Sequence, residues 1–169
     1  SAPSAPSTVL DLQAGSDSGS SSSDNITSET APTVRVSLTG TSAASGDTVE
    51  LLLGGASLSN AVTATLDSAD ITAGYVDLTV TDGDLGADGT KALTARVTDV
   101  AGNVGAAGGD LSVTLDTLAP TIDQTTLYAW TENTTAEFTL TASEAVVWSS
   151  ATLTNATLSA DGVLSVSSN

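Results

Sequence analysis

The feature that most restricts the fold of this chain is a regular alternation of apolar and polar residues. Val34, Val36 and Leu38 fall on one side of a segment, and Arg35 and Ser37 fall on the other. Successive side chains of a β-strand point to opposite faces, so a period of two predicts half-buried strands. The apolar residues are mainly Val, Leu and Ala with Thr between them, and β-branched residues suit a pleated surface.

Seven such segments precede residue 120, separated by turn signals at intervals of about 8 to 12 residues, which is typical of a β-sandwich. A single helical turn is predicted at 67–72, before Gly74. The predicted class is therefore all-β. The seven predicted strands are Thr8–Leu12, Val34–Thr39, Thr48–Leu53, Ala61–Leu66, Tyr75–Thr81, Ala92–Thr98 and Leu111–Leu115.

Proline marks both ends of this predicted domain. Residues 1–7 read Ser-Ala-Pro-Ser-Ala-Pro-Ser, which indicates a stiffened linker. Pro120 cannot continue a central strand, so we place a domain boundary there and assign the sandwich to residues 8–119. Residues 120–169 are too few for a second complete sandwich and are interpreted as a partial β domain or a strand-exchanged assembly segment. Its predicted strands are Ala136–Ala142, Ala151–Leu158 and Gly162–Val166.

The composition excludes several classes of function. The chain has 20 acidic and 3 basic residues, a formal net charge of −17, and no cysteine, histidine or methionine. Disulfides and cysteine-based zinc sites are therefore excluded, and the commonest general base is missing, so we expect no enzyme. Phosphate repels such a surface, so no nucleic acid partner is expected. No apolar run reaches the length of a membrane helix.

The acidic residues gather in loops rich in glycine and serine. Carboxylates crowded on short loops repel one another unless a cation lies between them, and calcium is the hard cation that oxygen ligands favour. Two alternatives remain open: Asp and Asn in turns also accept backbone N–H bonds, and acidity also serves solubility in salt. The predicted calcium ligands are Asp17, Asp24, Asp82, Asp84, Asp88, Asp99, Asn103 and Asp116.

Strand phase predicts where these acids lie. Asp47, Asp82 and Asp99 continue the inward-facing parity of neighbouring strands, so we expect them over the ends of the sandwich. In an immunoglobulin-like strand order, the loop holding Asp17 and Asp24 shares one end with the 82–89 loop and Asp116. Asp47 and the 99–103 loop would occupy the other end. A partly desolvated carboxylate needs a partner, which here means a metal ion or backbone N–H groups.

These motifs resemble the immunoglobulin-like extender repeats of giant secreted bacterial adhesins of the RTX and biofilm-associated type. The matching segments are Leu-Asp-Leu at 10–12, Asp-Ser-Gly at 17–19, Asp-Asn-Ile-Thr at 24–27, Thr-Asp-Val-Ala-Gly-Asn at 98–103 and Leu-Asp-Thr-Leu-Ala-Pro at 115–120. The resemblance implies an immunoglobulin-like calcium-binding β-sandwich, strung in tandem at the cell surface or outside the cell. It also implies neighbouring repeats as partners.

Three functions compete at this stage. The first is a calcium-rigidified spacer that holds an adhesive tip away from the cell or supports a biofilm. The second is a filament or matrix subunit in which identical subunits exchange strands, for example by donating the Thr8–Leu12 region to an incomplete sheet. The third is glycan contact through Tyr128 and Trp130, although core anchoring is the favoured interpretation of these aromatic residues.

Overall fold

The computed structural model describes residues 1–122, 136–149 and 156–166. The chain forms two compact units, unit 1 from Ser1 to Thr117 and unit 2 from Leu118 to Asn169. Unit 1 is built from strands and one short helix. In chain order its elements are β1 (Asp11–Leu12), β2 (Ile26–Thr27), β3 (Thr33–Ser37), β4 (Thr48–Leu53), β5 (Ala56–Thr65), α1 (Ser68–Ala73), β6 (Tyr75–Thr79), β7 (Gly89–Thr98) and β8 (Leu111–Leu115).

The strands of unit 1 form two sheets. One has the order β1-β3-β6, and the other has the order β2-β8-β7-β4-β5. All neighbours run antiparallel except β2, which runs parallel to β8. A single apolar core draws on both sheets, which makes unit 1 a β-sandwich. The prediction of an all-β sandwich is therefore confirmed.

The alternating residues build the core as their phase predicts. Val34 and Val36 of β3 are fully buried, while Arg35 between them keeps about a third of its side chain exposed. From the facing sheet, Val49, Leu51 and Val97 are fully buried as well. Burying one such side chain contributes about 1.5–3 kcal/mol, so each inward-facing position of the alternation stabilises the folded state.

Predicted and observed strand bounds differ where turns were missed. β4 and β8 have the predicted bounds, but β5 begins at Ala56 rather than Ala61. Gly54 and Gly55 both have positive φ and close a two-residue hairpin, with Leu53 opposite Ala56. The hairpin extends β5 back to the end of β4. The two-residue strand β2 was not predicted, since it is too short to show a period.

Residues 1–7, which we interpreted as a linker, belong to unit 1 and pack against the rest of it. Pro3 and Pro6 are buried, and the hydroxyl of Ser7 donates a hydrogen bond of 2.8 Å to the carbonyl oxygen of Thr39. β1 is shorter than the predicted Thr8–Leu12 strand, since only Asp11 and Leu12 pair with β3.

Unit 2 contains a three-stranded antiparallel sheet in its described residues. Its strands are β9 (Ala136–Thr139), β10 (Ala156–Leu158) and β11 (Val163–Val166), in the order β10-β11-β9. The indole of Trp148 lies against Gly162, where a methyl group would be 2.7 Å from Nε1. Tyr128 and Trp130, proposed above for glycan contact, lie outside the described residues.

Candidate functional site

Strand β7 runs between the two ends of unit 1, and acidic loops lie at both of its ends. Its first residue, Gly89, lies opposite Leu115 of β8, so Asp88 and Asp116 adjoin at one end, which we call the Asp116 end. Its last residue, Thr98, lies opposite Thr48, so Asp47 and Asp99 adjoin at the other, the Asp99 end. Over ten residues at about 3.3 Å each, the two ends are roughly 30 Å apart.

Asp17 is the most unusual acid of the Asp116 end. A turn in which Ser16 and Asp17 both donate to the carbonyl oxygen of Gln13 carries the side chain inward, and only 4% of Asp17 is exposed. Its Oδ2 accepts a hydrogen bond of 3.1 Å from the backbone N–H of Asn25. Its Oδ1 is buried and has no hydrogen-bond partner among the described residues. An unsatisfied buried carboxylate oxygen is costly, which singles out Oδ1 of Asp17 among the predicted ligands.

Thr27 joins the Asp17 loop to the sheet. Its hydroxyl donates to the carbonyl oxygen of Ser16 at 2.5 Å, and its own carbonyl accepts the N–H of Asp116 at 2.9 Å. Thr27 is 1% exposed. Sequence reasoning placed Thr27 within a matching motif but missed its role, because a two-residue strand parallel to β8 leaves no periodic signal.

Asp24 and Asp88 accept hydrogen bonds from backbone N–H groups at the Asp116 end. Asp24 Oδ1 accepts the N–H of Ile26 at 3.1 Å, which shapes the turn into β2, where Asn25 has a φ of 59°. Asp88 accepts the N–H and the hydroxyl of Thr117 at 3.1 and 2.9 Å. Each carboxylate oxygen has a further lone pair, so these contacts do not prevent cation binding.

The 82–89 loop does not behave as its strand phase predicted. Asp82 is exposed instead of lying over the core, because β6 ends at Thr79 and the chain turns where Asp84 N–H bonds to Thr81. Leu85, at 3% exposure, fills the core position. Asp84 instead binds the edge strand β5. Its carboxylate accepts hydrogen bonds of 2.9 Å from the backbone N–H and from the side-chain amide of Asn60.

The acids at the Asp99 end have their partners within the protein. Asp47 is 5% exposed and accepts the N–H groups of Ala44 at 2.8 Å and Val100 at 3.2 Å, which confirms its inward phase. Asp99 Oδ1 accepts from Ala101 and Asn103 N–H, and its Oδ2 accepts the Asn103 amide at 2.7 Å. The Asn103 side chain lowers the pKa of Asp99 most, followed by the Asn103 N–H. This is the turn-forming alternative for Asp99 and Asn103.

Among the described residues, neither arginine pairs with an acid of these loops, whereas Lys91 reaches the 82–89 loop. Arg35 pairs with Asp77 at 2.7 Å and stacks on Tyr75, and Arg96 pairs with Glu50 at 2.7 Å, each across neighbouring strands. The pKa of Glu50 is lowered chiefly by its hydrogen bond from Ser57. Lys91 donates to the carbonyl oxygen of Ala87. All three cations of the chain are thus engaged away from Asp17.

No three acidic side chains in the described ranges lie close enough together to hold a metal ion by themselves. The structure brings Asp17, Asp24, Asp88 and Asp116 to one end and Asp99 with Asn103 to the other. Asp82 and Asp84 share a loop but differ in their surroundings. Asp82 is exposed, whereas Asp84 is bonded to Asn60.

These features define a class: a structural β-sandwich with acidic ends, whose first and last residues lie at opposite ends. Residues 4–117 match the family described as Bacterial Ig-like domain. The chain belongs to this family. It is a family of structural domains, typically exposed at the cell surface. No curated protein matches the chain. The described residues contain no helix long and apolar enough to cross a membrane.

Proposed function

We propose that this chain is a calcium-rigidified spacer module of a bacterial surface adhesin. The observation that carries the spacer role is the position of the two chain ends of unit 1. Pro3 lies beside Gly105, which bonds to Val97 near the end of β7, whereas Thr117 is held by Asp88 just before β7 begins. Each module therefore adds its full length of roughly 30 Å to a tandem array.

The calcium part rests on the buried Oδ1 of Asp17, which has no hydrogen-bond partner in the part of the chain that the structure describes. Burial penalises this carboxylate, and a hard cation bound there would relieve the penalty. Asp88 and Asp116 lie at the same end and add negative potential. Because Thr27 and Thr117 tie the Asp17 and Asp88 loops to the last strand, a cation here would stiffen the point where unit 1 ends.

Thermal unfolding with and without calcium tests this proposal. A ligand that binds the folded state alone stabilises it, by about 2.7 kcal/mol at 100 times its Kd. We expect the melting temperature of unit 1 to rise with millimolar calcium, to fall with chelator, and to respond less to magnesium. Asp17→Asn should abolish most of the calcium response. Asp110→Asn, which removes the same charge from an exposed position, should retain it.

An unchanged melting temperature between chelator and millimolar calcium would refute the calcium part while leaving the spacer role intact. Conversely, a response that survives in Asp17→Asn at full size would place the ion elsewhere.

The assembly alternative predicts self-association of identical subunits by strand donation. Asp11 and Leu12 pair with β3 of their own unit, and Leu10 is 3% exposed in its core. Donating this region to another sheet would therefore cost the unit part of its own core. Sedimentation at high protein and calcium concentration discriminates the two functions, since the spacer proposal expects a monomer.

A further inference from the structure

The N-terminal segment of unit 1 lies side by side with a glycine-rich segment that precedes β8. We call residues 3–9 the strap and residues 105–109 the glycine track. Pro3 lies against Gly105, Pro6 against Gly108, and Val9 against Gly109. Both residue numbers rise together, so the strap and the track run parallel. The contacts on the strap recur every three residues, which is the repeat of an extended polyproline-like segment.

The fit between strap and track is close enough to require glycine. A methyl group at Gly105 would lie 2.5 Å from the carbonyl oxygen of Pro3, and one at Gly108 would lie 2.9 Å from that of Pro6 and 3.3 Å from its Cβ. At Gly109 the nearest atom, Cγ2 of Val9, is 3.6 Å away, which is an ordinary contact. Any side chain at Gly105 or Gly108 would therefore push the strap outward.

The track is fixed to the sandwich by hydrogen bonds, whereas the strap is held by packing. Gly105 and Gly108 donate to the carbonyl oxygens of Val97 and Ala95 at 2.8 and 2.9 Å, and Thr94 donates to Gly108 at 2.9 Å. Within the part of the chain that the structure describes, residues 1–9 form no backbone–backbone hydrogen bond. Among the described residues, their one side-chain hydrogen bond joins the hydroxyl of Ser7 to the carbonyl oxygen of Thr39.

Tension along a tandem array would load this contact in shear. In the proposed tandem array the strap would connect to the preceding module, and the track continues through β8 to Thr117, at the opposite end of unit 1. Pulling the two ends apart therefore slides the strap along the track, and the Pro3, Pro6 and Val9 contacts share the load at once. Contacts loaded one at a time would peel at a lower force.

We propose that the strap and the glycine track form a mechanical clamp that sets the force at which unit 1 unfolds. The clamp goes beyond the proposed calcium site, because its contacts lie along the side of the sandwich and involve no acidic residue. It assigns a role to a segment whose sequence alone indicates a linker.

Single-molecule pulling on the full chain from two alternative attachment points tests the clamp. The chain has no cysteine, so a pair introduced at exposed Ala2 and Ala119 places the strap in the load path. A pair at exposed Asp11 and Ala119 leaves the strap docked but outside the load path. We expect a loss of unfolding force when the attachment moves from residue 2 to residue 11. Equal forces for the two attachments would overturn the proposal.

Two neighbouring glycines provide the matched variants. Gly108→Ala should lower the unfolding force of the Ala2 attachment, whereas Gly109→Ala should leave it unchanged. Neither should alter the force of the Asp11 attachment, which separates the clamp from a general loss of stability. A Gly108→Ala effect of the same size in both attachments would contradict the clamp. If Gly108→Ala does not fold, the attachment comparison on the native track still decides the question.

The measurement is made in chelator and again in millimolar calcium. The clamp predicts the same dependence on attachment point in both solutions. A calcium effect on force that is equal for both attachments supports the calcium site independently, and its absence counts against that site alone.

Discussion

At the residue scale, the aspartates of this chain differ in which groups donate hydrogen bonds to their carboxylate oxygens. Asp47 accepts one backbone N–H of its own loop and one of the 99–103 loop, and Asp99 accepts N–H groups of its own loop. Asp84 accepts both donors of Asn60. Within the described ranges, one buried oxygen of Asp17 has no hydrogen-bond partner. All four are an aspartate in or next to a loop, so sequence pattern cannot separate them. Only the path of the backbone decides which carboxylate finds N–H groups.

Asp47 is expected to be a structural staple. Asp47→Ala removes hydrogen bonds to Ala44 and Val100 at a buried position, so we predict a loss of about 1–3 kcal/mol in the free energy of unfolding. Asp82→Ala, at an exposed position, should change it by about 0.5 kcal/mol or less. Urea unfolding in chelator measures both, and equal losses would contradict the assignment.

Asp99 should titrate below an ordinary aspartate, whose pKa is about 3.9. Because the folded pKa is lowered, the stabilising contribution is present above the unfolded pKa and is lost as pH falls through the folded pKa. NMR titration of the Asp99 carboxyl should therefore give a midpoint under that value. In Asn103→Ala the midpoint should rise, since the largest cause of the shift is removed. An unchanged midpoint would argue against the Asn103 contact.

At the element scale, strands with a buried face followed from the sequence and turns did not. β4 and β8 were predicted residue for residue because their inward positions are Val and Leu throughout. β5 was predicted late because the Gly54-Gly55 hairpin was overlooked, and β2 was missed because two residues carry no period. The strap escaped as well, because its burial depends on glycines roughly 100 residues further along the chain.

Helix α1 is stabilised at its start by a capping box, whose contribution can be tested by mutation. The Asp67 carboxylate accepts hydrogen bonds from the backbone N–H groups of Ala69 and Asp70. In turn, the Asp70 carboxylate accepts one from the backbone N–H of Asp67. Asp67→Ala removes this cap, so we predict a loss of about 0.5–2 kcal/mol in the free energy of unfolding. Ser68→Ala, at the next exposed position, is the control and should be close to neutral. Denaturant unfolding of both variants decides the matter, and a neutral Asp67→Ala would show that α1 forms without its cap.

At the scale of the whole molecule, unit 1 separates its chain ends by the length of β7 and concentrates acids at both of these ends. Arg35 and Arg96 lie on the outer faces of the sheets, where they join neighbouring strands. The formal net charge of −17 already counts all three basic residues, so no side chain is left to compensate it. That arrangement suits a module whose ends are completed by ions from solution.

The charge distribution predicts a specific salt response. Monovalent salt screens exposed carboxylates over about 8–10 Å but binds no particular site. We therefore expect sodium chloride to raise the melting temperature of the wild-type chain and of Asp17→Asn by similar amounts. Calcium should distinguish them. Equal calcium and sodium responses at matched ionic strength would indicate screening in place of a site.

The most direct test of the account is a high-resolution crystal structure of the chain grown in calcium. We predict an ion about 2.3–2.6 Å from Oδ1 of Asp17, with its remaining positions filled by oxygen atoms of the Asp116 end and by water. The anomalous signal would identify it as calcium. A map at millimolar calcium in which Oδ1 contacts only water, or a backbone N–H, would contradict the central claim.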